Sequence, residues 1–170
     1  MREIGTMTVR KVAPSDRSPL TRLLQSIENF TLEEVDVAIE LLDIYLSQPD
    51  QKDYLFLCST DESDTPVGYV CFGPTPLAEG VYDLYWIAVH PDWQNKGVGS
   101  RLMEVVEKEM LKIKARMLMV ETSGQESYRR TVQFYLKRGY NVVATIEDFY
   151  KPGDAKIIFS KRFQEAGEAH

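Results

Sequence analysis

The stretch Trp86-Ile87-Ala88-Val89-His90-Pro91-Asp92-Trp93-Gln94-Asn95-Lys96-Gly97-Val98-Gly99-Ser100-Arg101-Leu102-Met103 decides the fold. Its first residues read as a strand ending at Val89, because Pro91 has no amide with which to continue a ladder. From Gly97 onward, Leu102, Val105, Val106, Met110 and Ile113 recur at helical spacing. A strand therefore runs through a short turn into a helix with two glycines at its mouth. Such a mouth presents unpaired backbone amides and the positive end of the helix dipole. That is an anion site, most naturally for phosphate, and Lys96 adds a cation beside it. A Walker loop, G-x-x-x-x-G-K-[ST], does not occur. The dinucleotide fingerprint G-x-G-x-x-G also fails, because Leu102 stands at its third glycine. What remains is Q-x-x-G-x-G, carried by Gln94, Gly97 and Gly99.

Outward from this stretch, the chain of 170 residues has the length of one domain, and 44% of it is apolar, as a globular core requires. No apolar run approaches a membrane span, and Met1 to Thr6 lacks the apolar centre of a signal peptide. A cytoplasmic protein with no membrane partner is the default. A net charge of -6 argues against a nucleic-acid surface and permits a cationic acceptor such as an amine. With two cysteines, Cys58 and Cys71, and two histidines, His90 and His170, no metal site is expected. Both cysteines fall in strand-like segments and read as small core residues.

In order, Thr8 to Val12 reads as a strand. Pro14-Ser15-Asp16 then leads into a helix with an apolar stripe of Leu20, Leu23, Leu24 and Ile27 and with Pro19 in its first turn. Thr31 and Glu34 form a capping box for a second helix, whose buried face is Val35, Ala38, Ile39, Leu42 and Tyr45. Tyr54 to Thr60 and Thr65 to Phe72 form a hairpin around Asp61-Glu62-Ser63-Asp64, with Gly68 a bulge or kink. Val81 to Val89 is the central strand. After the helix from Gly97 to about Lys114 come a strand at Met117 to Thr122, a helix at Glu126 to Arg138 stopped by Gly139, a strand at Tyr140 to Ile146, a loop at Asp148 to Asp154 and a last strand at Lys156 to Lys161. The tail Gln164 to His170 reads as frayed. The class is α/β with a mixed sheet.

Two motifs carry a family resemblance. Gln94-x-x-Gly97-x-Gly99 after Ala88-Val89 resembles the acyl-CoA signature of the GNAT superfamily of N-acetyltransferases. Tyr128 to Tyr140 then resembles the superfamily's second helix, (N/A)-x-x-F-Y-x-x-x-G-F, with Thr131 in the first position, Phe134-Tyr135 matching, and Gly139-Tyr140 in place of Gly-Phe. The resemblance covers roughly residues 7 to 163 within a single domain of 1–170. It implies the GNAT acyl-CoA N-acyltransferase fold, a central mixed sheet of about six to seven strands flanked by about four helices.

The resemblance also implies roles. The backbone of Ile87, Ala88 and Val89 pairs with the pantetheine arm of acetyl-CoA. The amides from Gln94 through Asn95, Lys96, Gly97, Val98 and Gly99 to Ser100, with the side chains of Lys96 and Arg101, hold the pyrophosphate. On this reading the side chains of Asn95 and Val98 are replaceable. Thr131, Phe134 and Tyr135 flank the coenzyme. Tyr135 is placed as the acid that protonates the departing thiolate, the amide of Val89 as the oxyanion donor, and Asp83 as the base, since the histone acetyltransferase branch carries its glutamate five residues before the equivalent of Ala88. Glu121 is a weaker candidate base. Asp148-Phe149-Tyr150-Lys151-Pro152 is similar to the Tyr-Tyr-Pro loop of the ribosomal-protein N-terminal alanine acetyltransferases, which makes Tyr150 a rival acid or a lining of the acceptor pocket. That subfamily's base falls on Val142 here. No cysteine is placed to carry an acetyl group, so direct attack in a ternary complex is expected. The expected activity is acetyl transfer to a small primary amine; a protein N-terminus or lysine as acceptor, and a non-catalytic acyl-CoA sensor, are the alternatives. The oligomeric state stays open, although homodimers are common in the superfamily.

Overall fold

The structure is a computed structural model that describes residues 7–163; the expectations for Met1 to Thr6 and for the tail from Gln164 lie outside the described residues. Seven strands form one mixed sheet in the order β1-β2-β3-β4-β5-β7-β6. They are β1 (Thr8–Lys11), β2 (Leu55–Thr60), β3 (Pro66–Pro74), β4 (Val81–Val89), β5 (Met117–Ser123), β6 (Asn141–Lys151) and β7 (Asp154–Arg162), with helices α1 (Arg17–Gln25), α2 (Leu32–Ser47), α3 (Val98–Lys112) and α4 (Arg129–Lys137). The element order and the class agree with the sequence, and β4 has the bounds the sequence predicts. The chain divides into two compact units. One takes in the chain up to Gly73 together with Trp86–Lys108, and the other takes in Pro74–Tyr85 with the chain from Glu109 onward.

In the first unit, β1 and β2 pair antiparallel, as do β2 and β3. Their core is formed by Phe56, Cys58, Tyr69, Val70 and Cys71. Helix α1 buries Leu20, Leu23 and Leu24, and ends before Ile27, so the stripe is one residue shorter than expected. Helix α2 starts at the expected capping box: the Glu34 amide donates to Thr31 Oγ1 at 3.2 Å and the Thr31 amide to the Glu34 carboxylate at 2.7 Å. It buries Val35, Ala38 and Leu42, while Ile39 and Tyr45 are half-buried. Arg10 of β1 pins two other segments. Its guanidinium meets Asp16 at 2.7 Å and Asp64, in the β2–β3 turn, at 2.9 Å.

In the second unit, β4 runs parallel to β5 over Val81–Leu84 against Met117–Val120, and β5 pairs antiparallel with β7, which pairs antiparallel with β6. Successive side chains alternate between faces. One face therefore buries Leu118, Val120 and Phe159. Helix α4 packs there through Tyr135, whose ring lies 5.5 Å from those of Phe159 and Tyr140. The helix expected from Glu126 is a 3-10 turn, Glu126–Tyr128, followed by α4. The expected loop at Asp148 to Asp154 is a correction. Strand β6 continues to Lys151 and closes on Asp154 by a tight turn. The register shift between Ile146 and Lys151 absorbs the extra residues, with Asp148 in the left-handed region at φ 55°. Its carboxylate accepts the Gly153 amide at 2.7 Å.

Candidate active site

The mouth of α3 is built in the first unit from the end of β4. The β2–β3 register shifts between Ser59 and Thr60, leaving Val67 as the extra residue beside Gly68. The Val67 carbonyl accepts the His90 amide at 2.8 Å, which ties down the residue just past β4. A one-turn 3-10 helix, Pro91–Trp93, follows, with the His90 ring accepting the Asp92 amide at 3.2 Å. Gln94 folds back and donates to the Val89 carbonyl at 3.3 Å. Asn95 and Gly97 are both left-handed, at φ 59° and 82°. Asparagine tolerates that region better than other residues with a side chain, so Asn95 is not freely replaceable as expected.

The Val98 side chain is also not free. It is 1% exposed, and a Cβ added to Gly68 would meet its Cγ1 at 2.7 Å and the Ala88 carbonyl at 3.2 Å. Gly68 is glycine because the first turn of α3 and the end of β4 approach that backbone. Val98 anchors the helix mouth, and this role was not legible from the motif.

The mouth fits an anionic group. A Cβ added at Gly97 would meet nothing within 4 Å, so the backbone there is open to approach. The first-turn amides of Val98, Gly99 and Ser100 have no acceptor within the helix, and no acidic residue sits in that turn. Lys96 is exposed and lies over the Trp93 ring at 5.4 Å. Arg101 pairs with Glu104 at 3.2 Å on the exposed side of the helix. Ile87 and Val89 are half-buried, and Ala88 is buried.

The remaining candidates stand in the second unit. Thr131 and Phe134 are half-buried, and Phe134 meets Tyr135 edge-on at 5.3 Å. Tyr135 is 2% exposed, and burial pushes its phenol well above its usual range, which keeps the proton on the oxygen. Asp83 pairs with Met119 and so projects from the face opposite to α4. It accepts a hydrogen bond from Thr75 Oγ1 at 2.8 Å, a partner for which the sequence offers no signal. Tyr150 is half exposed on β6 and meets Phe149 edge-on at 5.0 Å. Glu121 shares the Asp83 face and pairs with Lys156 at 2.6 Å. Cys58 and Cys71 are both fully buried, and desolvation raises the Cys58 thiol to about 12 and the Cys71 thiol further. Among the described residues no group of three metal-binding side chains occurs, and no helix is long and apolar enough to cross a membrane.

A strand, a tight turn and a glycine-mouthed helix stand in the first unit and a Phe-Tyr helix in the second, the two motifs that the sequence carries. The chain belongs to the Acetyltransferase (GNAT) family, which its residues 20–140 match. A GNAT-family protein from Desulfovibrio desulfuricans is 39% identical, with a TM-score of 0.89 and a match covering 94% of this chain and 100% of that one. S-(2-succino)cysteine N-acetyltransferase of Bacillus subtilis is 28% identical over 69 residues, which is 41% of this chain and 42% of that protein. S-alkylcysteine N-acetyltransferase of the same organism is 31% identical over 80 residues, 46% of this chain and 43% of that protein. The chain thus spans less than half the length of these two curated relatives.

Proposed function

We propose that this protein is an N-acetyltransferase that moves an acetyl group from acetyl-CoA to the primary amine of a small molecule, by direct attack in a ternary complex. The observation that carries the reading is the mouth of α3, with Gly97 left-handed and open beside Lys96. The family match at 20–140 runs through both compact units, in keeping with one functional domain. The two cysteine-derivative acetyltransferases support a small acceptor over a protein terminus or a lysine.

Bound acetyl-CoA supplies an activated thioester. The amides from Gln94 to Ser100, with Lys96 and Arg101, hold its pyrophosphate, while the backbone of Ile87 to Val89 pairs with the pantetheine arm. Thr131 and Phe134 flank it. The Val89 amide donates to the developing oxyanion. An acceptor ammonium, with a pKa near ~10.4, must lose a proton before it can attack; Asp83, steadied by Thr75, takes it, and the second nitrogen proton is released to water as the tetrahedral intermediate collapses. Tyr135 Oη holds the proton for the leaving sulfur. Its burial favours the protonated form at rest, so it offers the departing sulfur a hydrogen bond, and full transfer to a thiolate, whose acid titrates near ~8.5, runs uphill. Tyr150, on an exposed strand rather than a loop, lines the acceptor side. The raised thiols of Cys58 and Cys71 argue against an acetylated cysteine.

Calorimetry with acetyl-CoA, combined with thiol release over a panel of amines and peptides, tests the reading. Gly97→Asp places a carboxylate among amides meant for phosphate and is expected to weaken coenzyme binding at least about a hundredfold. Unaltered affinity in that variant sinks the assignment of the mouth. Binding without thiol release from any acceptor favours a sensor.

A further inference from the structure

The face of the second unit that carries Asp83 holds an ion pair that the roles above do not use. Glu121 on β5 and Lys156 on β7 meet at 2.6 Å, and the Lys156 ammonium also lies 4.4 Å from the centre of the Phe149 ring. The Lys156 side chain is 15% exposed and that of Glu121 51%. The registers place the pair on the Asp83 side: Asp83 stands beside Met119, Glu121 is two residues further along β5, and Lys156 is opposite Ser123. Strand spacing then puts Glu121 about 8 Å from Asp83 between α-carbons, close enough for both carboxylates to reach one amine.

We propose that the Glu121–Lys156 pair under Phe149 seats the acceptor, and that the acceptor is a zwitterion, an amine carrying its own carboxylate as in an α-amino acid. This rests on the acetyltransferase reading. The pair is neutral as a whole. A purely cationic ligand at Glu121 would leave the Lys156 ammonium, the less exposed partner, uncompensated, and a purely anionic one at Lys156 would leave the Glu121 carboxylate without its cation. A zwitterion exchanges with the pair without that cost. Its ammonium meets Glu121, its carboxylate meets Lys156, and every charge keeps an opposite neighbour. The exposed Phe149 ring beside the ammonium of Lys156 offers apolar surface for the rest of the molecule. Glu121 and Lys156 are then specificity determinants, and Asp83 remains the base.

The test compares S-methylcysteine with 2-(methylthio)ethylamine, which differs only in lacking the carboxylate. The wild type is expected to prefer S-methylcysteine in kcat/KM by about tenfold or more, the worth of one charge-assisted hydrogen bond. Lys156→Met is expected to raise KM for S-methylcysteine about tenfold and to leave the decarboxylated amine unchanged. Acetyl-CoA affinity within about twofold of wild type shows that the variant is folded. Glu121→Gln, at a half-exposed position, is the second variant and should lower kcat/KM for S-methylcysteine by a similar factor. Equal use of the two amines by the wild type, or a loss in Lys156→Met that falls equally on both, overturns the proposal. Acetylation of other amines but not of S-methylcysteine overturns this acceptor class and leaves the acetyltransferase activity standing. Failure to release thiol with any amine defeats both.

Discussion

Single residues set the site more tightly than the motif implies. Gly97 and Gly99 were legible as the glycine mouth of α3, but Gly68, much earlier in the chain, was legible only as a bulge or kink. Its second task, giving room to Val98, depends on which backbone the helix approaches, and no local pattern encodes that. Gly68→Ala is expected to cost about 1–3 kcal/mol of stability in urea unfolding, because the added Cβ would sit 2.7 Å from Val98 Cγ1 in a packed place. It should also weaken acetyl-CoA binding, since Val98 opens α3. A variant of wild-type stability would mean that Val98 can rotate away. Tyr135 presents the opposite case. Its position was legible from the Phe-Tyr motif, but its burial was not. Tyr135→Phe keeps the ring packing against Tyr140 and Phe159, so the expected loss is about 10²–10⁴-fold in kcat with affinity for acetyl-CoA nearly unchanged. Equal losses in both would assign the hydroxyl to binding.

At the scale of elements, β4, the α2 capping box and the glycine mouth were readable because each is a local pattern. Strand β6 was not. The run Asp148-Phe149-Tyr150-Lys151-Pro152-Gly153 has turn composition, and only pairing with β7 shows that the strand continues through a left-handed Asp148. The Glu121–Lys156 pair was hidden for a related reason, since it depends on the β5–β7 register. The pin that Arg10 makes between β1, the turn before α1 and the β2–β3 hairpin is likewise non-local. Asp16 is 3% exposed. Burial alone would raise its carboxyl, but the Arg10 guanidinium and the Ala13 amide outweigh that and hold it below the usual range. A depressed native pKa contributes stability that is present above the unfolded value, near ~3.9, and is lost as pH falls through the native one. Asp16→Asn is therefore expected to destabilise by about 3 kcal/mol at pH 7. The gap to wild type should narrow below about pH 4, as denaturant melts across that range would show. A constant gap at every pH would place the effect in packing rather than charge.

For the molecule as a whole, both thiols are fully buried and raised. Labelling by a thiol reagent should then report opening of the fold rather than local access, and acetyl-CoA at 100 times its Kd should slow it through about 2.7 kcal/mol of added stability. Rapid labelling of the native protein, untouched by acetyl-CoA, would contradict this. The two faces of the second unit's sheet carry a last consequence. Asp83 projects from one face, and Tyr135 packs on the other. In the proposed roles, the proton removed from the acceptor and the proton given to the sulfur are therefore different protons. No side chain ferries one to the other, as a single histidine can. Each group must be reset separately, and per turnover the acceptor nitrogen gives up two protons while the sulfur takes one. Rates in mixtures of light and heavy water should curve with deuterium content where the two transfers share the rate-limiting transition state, and fall on a line where only one of them belongs to it.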